Sequence, residues 1–577
     1  MTMVLVPILK TAMSGSLKDV SSTSSPRVKF DLPIDKESII QYLQEEGDTS
    51  YGARLNSVLK ILMDKDTEDS ILIRWTTELK DNILFFDKIN ESLAFTFLKM
   101  EWYNRDEIFI RSYQELILNL VTAHPSYLKH VLYFIISIFV KVSADKEIPT
   151  PEERKIWQHA HELTKRITEL IPLSQHTFCV SLVEKFPYIR NAACVILHYV
   201  ENLLTVCTYL PSKRPLLLEC IIEKILEIDV NCSKTTIEMY EMQREEEESL
   251  GQNMEIESSA EKKTDQMAFP LAHTLDILLN CLFTYIKETC FYNGSGELDW
   301  EATKKLYKEF LTIFDKIMLP TQGSCHVQYL LFYICGLKQD LCIGFVDYLW
   351  KKVQNPNVAP VFRQISAFYI GSFLSRAKYI SISTVTECLD LMCNWIHRYI
   401  DAHTSHDLMV HGTFHSVCQA VFYVFAFRNK ELLEMNDGHK YLQGLNFDRM
   451  VTCRLNPLRF CDRNIVQNFA SLARNHQIAY VYPIIERNNR NLLYAGFCSN
   501  AEEVSAGAMI PTFFPFDPYL LKKSKHWIES QYRIYNHVSK DEDTVDHIED
   551  EEMCVDDDMF SYSMSPGFKK SCIKVYR

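Results

Sequence analysis

Apolar residues recur at helical spacing over two long stretches of the chain, from about Glu37 to Val230 and from Asp265 to about Asn475. Apolar positions at i, i+3, i+4 and i+7 predict amphipathic helices. Pro125, Pro149, Pro151, Pro172, Pro187, Pro211 and Pro215 divide the first stretch, and Pro320, Pro356, Pro360 and Pro457 the second. Each piece between them has the length of a helix, and proline is a strong helix boundary.

Two segments show the pattern. In Arg214 to Asp229, Leu216, Leu217, Cys220, Ile221, Ile225 and Ile228 make a broad apolar face, while Glu219, Glu223 and Glu227 recur on one stripe that must face water. In Leu306 to Met318, Leu306, Phe310, Ile313, Phe314 and Ile317 are predicted inward and Lys308, Glu309, Thr312 and Asp315 outward. No period-2 alternation runs longer than a few residues, and no Asn-Gly turn joins two alternating runs. The prediction is an all-α fold: a HEAT- or armadillo-like α-solenoid of antiparallel helix pairs, whose units span about 40 to 47 residues.

The pattern fails in three places. Residues 1–35 are Ser-rich, with S-S-T-S-S-P at Ser21 to Pro26, and read as a disordered tail. Residues 241–264 lack an apolar face and read as an acidic disordered loop. Residues 526–577 hold D-E-D-T-V-D-H-I-E-D-E-E and D-D-D before a basic end at Lys569, Lys570, Lys574 and Arg577, and read as an acidic tail. Between them lie predicted N-terminal helical repeats at 36–240 and C-terminal repeats at 265–525.

At 577 residues, the chain needs more than one core or a core that grows by stacking. A hydrophobic fraction of 47% is enough to order most of it. The formal charge of −14 argues against long-range attraction to a phosphate backbone, so autonomous sequence-specific DNA binding is not expected. Eighteen cysteines are spread singly, many inside apolar runs, and no CxxC pair occurs. That usage fits a reducing compartment. The apolar run Val4 to Leu9 has no basic flank and is broken by Pro7, so secretion is not expected. The longest apolar stretches are too short to span a membrane.

Nothing in the sequence carries catalytic chemistry. There is no P-loop, G-x-G-x-x-G, G-x-S-x-G, H-E-x-x-H or EF-hand pattern. His159 and His161, or His411 and His415, could each present two imidazoles, yet no carboxylate or thiol stands beside either pair at a supporting spacing. Cys325 and His326 are adjacent and would point in different directions on a helix or turn. Lys351-Lys352, Lys213-Arg214 and Lys522-Lys523-Ser524-Lys525 read as solvated helix ends or corners. Neither catalysis nor a metal nor a cofactor is expected.

Several ordered segments resemble the RNA polymerase I-specific transcription initiation factors of the TIF-IA family. They are L-V-E-K-F-P-Y-I-R at Leu182 to Arg190, Y-V-E-N at Tyr199 to Asn202, I-E-K-I-L-E-I-D-V-N at Ile222 to Asn231, and D-Q-M at Asp265 to Met267. Next come I-F-D-K-I-M-L-P at Ile313 to Pro320 with S-C-H-V-Q at Ser324 to Gln328, and Y-I-G-S-F-L-S-R-A-K at Tyr369 to Lys378. The last are L-Q-G-L-N-F-D-R at Leu442 to Arg449, L-N-P-L at Leu455 to Leu458, I-I-E-R-N-N-R at Ile484 to Arg490, and F-F-P-F-D-P at Phe513 to Pro518. Their order and spacing make the resemblance specific. Physically, Gly371 and Ser372 permit close helix approach, and Pro515 and Pro518 fix an extended aromatic segment that can pack across the end of the repeats.

The resemblance implies a HEAT-type factor in the nucleus and nucleolus that binds RNA polymerase I and carries it to the promoter selectivity complex on ribosomal DNA, without a cofactor and under control by phosphorylation. A homodimer of the free factor is left open. The polymerase-facing candidates are Leu442, Asn446, Asp448 and Arg449, with Asn446 and Asp448 expected off the apolar stripe and replaceable without loss of stability. The phosphorylation candidates are Ser25, Ser143 and Ser174; Ser174 is expected in an exposed corner because Pro172 breaks the preceding pattern. Arg27, Val28 and Phe30 fit the R-V-x-F strand that docks type 1 protein phosphatase. Composition and periodicity alone would fit a HEAT adaptor of nuclear transport equally; the ordered segments favour the initiation factor.

Overall fold

The computed structural model describes residues 38–44, 50–86, 90–140, 147–251, 266–292, 296–403, 408–496, 510 and 513–535. Among these the chain is helical, and the only β pairing is two isolated bridges, Phe291 with Leu298 and Ala377 with Tyr532. This is the all-α fold expected. Ser25, Arg27, Val28, Phe30 and Ser143 lie outside the described residues, as does the acidic stretch beyond 535.

Two compact units result, residues 1–131 and 132–577, so the acidic stretch at 241–264 is not the divide that the sequence suggested. The first unit holds α1 (Ile39–Gln44), α2 (Tyr51–Met63), α3 (Asp69–Asp81), α4 (Glu91–Lys99), α5 (Glu107–Ala123) and the start of α6 (Leu128–Val140). Leu72, Trp75 and Leu79 of α3 are buried, as are Phe109, Tyr113 and Leu116 of α5, the helix it packs on. Glu78 of α3 caps α1 by accepting the N–H groups of Ile39 at 2.9 Å and Ile40 at 3.2 Å, satisfying donors that a helix start leaves open.

The second unit continues through α7 (Pro151–Leu170), α8 (Ser174–Glu184), α9 (Ala193–Tyr209), α10 (Arg214–Val230), α11 (Lys234–Gly251), α12 (Pro270–Cys290) and α13 (Trp300–Ile313). After these come α14 (Tyr329–Gly336), α15 (Gln339–Gln354), α16 (Pro360–Arg376), α17 (Ile382–Ala402) and α18 (Gly412–Glu434). Short helices α19 (Gly438–Gly444), α20 (Phe447–Thr452) and α21 (Pro457–Phe460) precede α22 (Arg463–Asn475), α23 (Tyr482–Gly496) and α24 (His526–Glu529). Helices pack on their first and second neighbours in sequence, most extensively α3 on α5 and α16 on α18, the arrangement of stacked helix pairs. At the centre α18 is buried almost all round, and α16 lies on it so closely that a Cβ on Gly371 would stand 2.9 Å from the Cβ of Ala420. A side chain at Gly371 would force the two helices apart.

Two details depart from the periodicity. The segment Phe314–Met318 is a π turn closed by Leu319 N–H to Phe314 O at 2.8 Å, which inserts a residue into the helical register. Met318 therefore takes the buried place predicted for Ile317. Glu309, predicted outward, is largely buried in a bidentate pair with Arg214 at 2.7 and 2.9 Å, joining α13 to α10. Leu216 is the one apolar member of its stripe left exposed.

The acidic stretch begins inside a helix. α11 runs on to Gly251, laced by Arg244 to Glu241 at 2.8 Å and Glu248 at 3.7 Å, and these i,i+3 and i,i+4 pairs let a segment without an apolar face stay helical. The tail also begins later than predicted: residues 513–535 form a strap across the unit, with Ile528 and Tyr532 buried. Phe516, fully buried, meets the rings of Tyr329, Phe332, Tyr369 and Phe373 at centroid distances of 5.1 to 5.8 Å. Its N–H donates to Ser372 Oγ at 3.1 Å, and the Tyr532 hydroxyl donates to its carbonyl at 3.0 Å.

Asp276 of α12 anchors the next turn of the strap. Its buried carboxylate accepts the N–H groups of Lys522 (3.1 Å), Lys523 (2.7 Å) and Ser524 (2.8 Å), and the Ser524 hydroxyl as well. Lys522 reaches Glu241 at 2.6 Å, Lys523 pairs with Glu147, and Trp527 Nε1 donates to Asn280 at 2.8 Å. The strap ends against α16 and α18, where Lys378 N–H meets Gln531 O at 2.9 Å and Arg533 N–H meets Arg376 O at 2.7 Å. Arg533 shares Glu431 with Arg428, a buried guanidinium whose pKa burial pulls down to about 10.

Asp276→Asn keeps the shape but places an amide NH2 among backbone donors. Hydrogen bonds to a charged group contribute about 1.5–3 kcal/mol each, so the variant is expected to lose roughly 2 kcal/mol or more of stability. Chemical denaturation of the full chain, alongside protease cleavage within 513–535, measures this; an unchanged midpoint would show that the strap is held without Asp276.

Candidate protein interface

Exposed apolar side chains gather where α7 turns into α8. Pro172 ends the α7 pattern, and Leu173 at the start of α8 is 87% exposed. Leu173, His176, Val180 and Val183 follow one another at helical spacing along the outer face of α8, all exposed. Leu170 at the end of α7 and Tyr188 in the loop after α8 are exposed as well. The Lys185 ammonium lies 4.1 Å from the ring centre of Tyr133 and donates to its hydroxyl at 2.5 Å. The opposite face of α8 is packed, with Phe178, Cys179 and Leu182 buried and the Tyr199 hydroxyl donating to Leu182 O at 2.6 Å. A helix apolar on both faces, with one face in water, marks an interaction surface.

Ser174 sits in this corner on the wrong side to be reached. It is fully buried, and its hydroxyl has no hydrogen-bond partner among the described residues. The expectation of an exposed serine is corrected: Pro172 does break the helix, but the exposed corner residues are Pro172 and Leu173, and the first turn of α8 carries Ser174 inward. Periodicity within α8 would have found this, since Ser174 precedes Phe178 by four residues and Ser181 by seven.

The 442–449 segment divides in the same way. Leu442 is buried and is therefore corrected as a contact residue, whereas Asn446 and Asp448 are exposed and Arg449 half-buried. The exposed pair is structurally engaged. Asn446 stands at φ 53° and caps α20 by accepting Arg449 N–H at 3.3 Å. Asp448 accepts Tyr480 N–H at 2.9 Å, and Arg449 pairs with Asp401. His476, nearby at the end of α22, has its pKa lowered by burial and by the neighbouring His439. Cys325 and His326, singled out by their chemistry, are structural: Asp229 of α10, fully buried, accepts the N–H groups of Cys325 (2.8 Å), His326 (2.8 Å) and Val327 (3.1 Å), and His326 Nδ1 lies 2.9 Å from it. Among the described residues no cluster of three or more His, Cys, Asp or Glu could hold a metal ion, and no helix is long and apolar enough to cross a membrane.

Comparison with known proteins places these features in a family. The model of the RNA polymerase I specific transcription initiation factor RRN3 family matches residues 34–540. The mouse RNA polymerase I-specific transcription initiation factor RRN3 is 36% identical over 513 residues, covering 83% of this chain and 78% of that protein. The fission yeast (Schizosaccharomyces pombe) factor of the same name is 28% identical over 517 residues, covering 82% and 81%. The crystal structure of RNA polymerase I transcription initiation factor Rrn3 superimposes with a TM-score of 0.68 over 87% of this chain and 97% of that one, at 22% identity, and so supports the fold.

Two outcomes follow for stability. Ser174→Ala removes only a partnerless hydroxyl and is expected to be neutral or slightly stabilising, whereas Ser174→Asp buries a charge and is expected to cost about 3 kcal/mol or more. Asn446→Ala with Asp448→Ala removes a cap, a left-handed residue and a loop anchor, each worth about 1 kcal/mol, so this pair lowers the melting temperature, contrary to the expectation from sequence. Thermal unfolding of the variants beside the parent decides both; a wild-type melting curve for Ser174→Asp would place that residue at the surface.

Proposed function

Because the chain belongs to the family of RNA polymerase I-specific transcription initiation factors, we propose that it binds RNA polymerase I and bridges it to the promoter-bound selectivity complex on ribosomal DNA. The family match through residues 34–540 carries this reading, since it runs through both compact units and the strap. Family membership sets aside the general transport adaptor. The role is one of binding, exercised in the nucleus and, in this reading, in the nucleolus.

The outer face of α8 is the polymerase-docking surface in this proposal. Leu173 and Val180 offer apolar area that water now covers, on a helix held rigidly from behind by Phe178 and Leu182. A rigid apolar stripe binds with little ordering cost. Control by phosphorylation belongs to the same proposal, with Ser25 and Ser143 as its candidate sites and Ser174 excluded by burial. Arg27, Val28 and Phe30 would dock the phosphatase that reverses the mark beside Ser25.

Leu173→Glu with Val180→Glu is the test. Both side chains are exposed, so stability is expected to stay within about 0.5 kcal/mol of the parent. Burying an apolar side chain is worth about 1.5–3 kcal/mol, so losing two should cut polymerase retention from nuclear extract by tenfold or more. An inventory of retained polymerase subunits at matched expression reads the result, and full retention by a stably folded variant would remove α8 as the contact.

A further inference from the structure

Residues 440–490 hold eight Lys and Arg against three Asp and Glu, in a chain whose formal charge is −14. Seven of the eight are arginine. We infer that the face carrying Arg454, Arg474, Arg487, Tyr480 and Tyr482 is a second docking surface, and that its occupant is an acidic segment of a protein partner.

Three contacts bring these residues together. Asp448 accepts Tyr480 N–H at 2.9 Å, seating the loop after α22 beside α20. Asn456 and Asn488 exchange side-chain amide hydrogen bonds at 2.7 and 3.1 Å, setting the turn that carries Arg454 against the stretch of α23 that carries Arg487. The Arg474 guanidinium lies 5.6 Å from the ring centre of Tyr482, joining the end of α22 to the start of α23.

Arg449 pairs with Asp401 and Arg490 with Glu486 at 3.4 Å, but the three named arginines are not neutralised. Arg454, Arg474 and Arg487 are exposed and have no carboxylate partner among the described residues. Elsewhere in the unit Arg214 is matched to Glu309, Arg428 and Arg533 to Glu431, Lys522 to Glu241 and Lys523 to Glu147. Like charges gathered on neighbouring elements raise the local positive potential, which an anionic partner lowers. Tyr480 is 82% exposed, and tyrosine and arginine are among the residues enriched where protein interfaces bind most strongly.

The backbone holds this surface ready. Asn446, Asn456 and Gln477 all take left-handed φ values, 53°, 43° and 52°, at the three turns that frame it. Non-glycine residues rarely adopt that conformation, and such strain collects where geometry serves a binding site. A preformed site loses little entropy when it is filled. The sign and texture of the charge select the occupant. Asp448 and Glu486 interrupt the arginines, and the net charge of the whole chain is negative, so an unbroken phosphate backbone meets repulsion at intervals. A peptide places its carboxylates singly and can fill the spaces between them with apolar residues that cover Tyr480.

The full-length chain is titrated into a fluorescent peptide of about 20 residues in which Asp-Glu pairs alternate with Phe and Leu, and in parallel into an oligothymidylate of matched length, with anisotropy as the readout. The peptide is expected to bind at least about tenfold more tightly than the oligonucleotide, and to weaken several-fold between about 50 and about 200 mM salt. Arg454→Glu with Arg487→Glu should weaken it by a further tenfold or more at an unchanged melting temperature, and Tyr480→Ala by about threefold. Leu173→Glu with Val180→Glu should leave peptide binding as in the parent, which separates this surface from the α8 face. A peptide that does not bind, an oligonucleotide that binds as tightly, or full affinity in the double arginine variant overturns the inference.

Discussion

Two long-range junctions of the second unit are made by buried carboxylates turned toward backbone N–H groups. Asp276 and Asp229 are fully buried, and each accepts three consecutive main-chain donors from a segment far away in sequence. A buried carboxylate is costly unless hydrogen-bonded, and a turn with several open N–H groups is equally in need of an acceptor. Each satisfies the other. Helix stacking alone would leave the strap as a peptide lying on a groove. Asp276 makes it part of the fold, Asp229 fixes the turn at 325–327 from which Gln328 donates to the strap carbonyl of Pro515, and Phe516 then fills the aromatic space between α14 and α16.

This explains which parts of the structure are legible in the sequence. Helices and their breaks follow from apolar spacing and proline, because both are local; Gly371 and the Phe513–Pro518 segment stand out through the family resemblance, and the physical role follows from a missing side chain and from prolines. Asp276 and Asp229 escape, since each sits in an ordinary helix and its partners are 246 to 248 and 96 to 98 residues away. Ser174 misleads for a different reason: proline marks where a helix ends, while the rotation of the following helix decides which neighbour faces inward. Glu241 misleads because charge density reads as disorder until Lys522 and Arg244 are seen beside it.

The two surfaces differ in physics and therefore in behaviour. An apolar stripe such as that of α8 attracts at contact range and is nearly indifferent to ionic strength. Unpaired arginines act over about 10 Å at moderate salt and raise the rate of encounter more than the final affinity. A scaffold with one surface of each kind can capture one partner quickly and reversibly while holding another by shape, without a moving part.

The strap also fixes when this protein can finish folding. Ser524 is made 248 residues after the carboxylate that receives it, and Lys523 376 residues after Glu147. At about 5–20 residues per second, a ribosome needs roughly 12 to 50 s to travel from Asp276 to Ser524. For all of that interval a charged group destined for the interior, and for its later part the aromatic bed of Phe516, stand open to water or to other chains. The nascent factor thus depends on whatever shields unfinished proteins in the cell, and a message ending anywhere before the strap would yield helices that are nearly all present yet never closed.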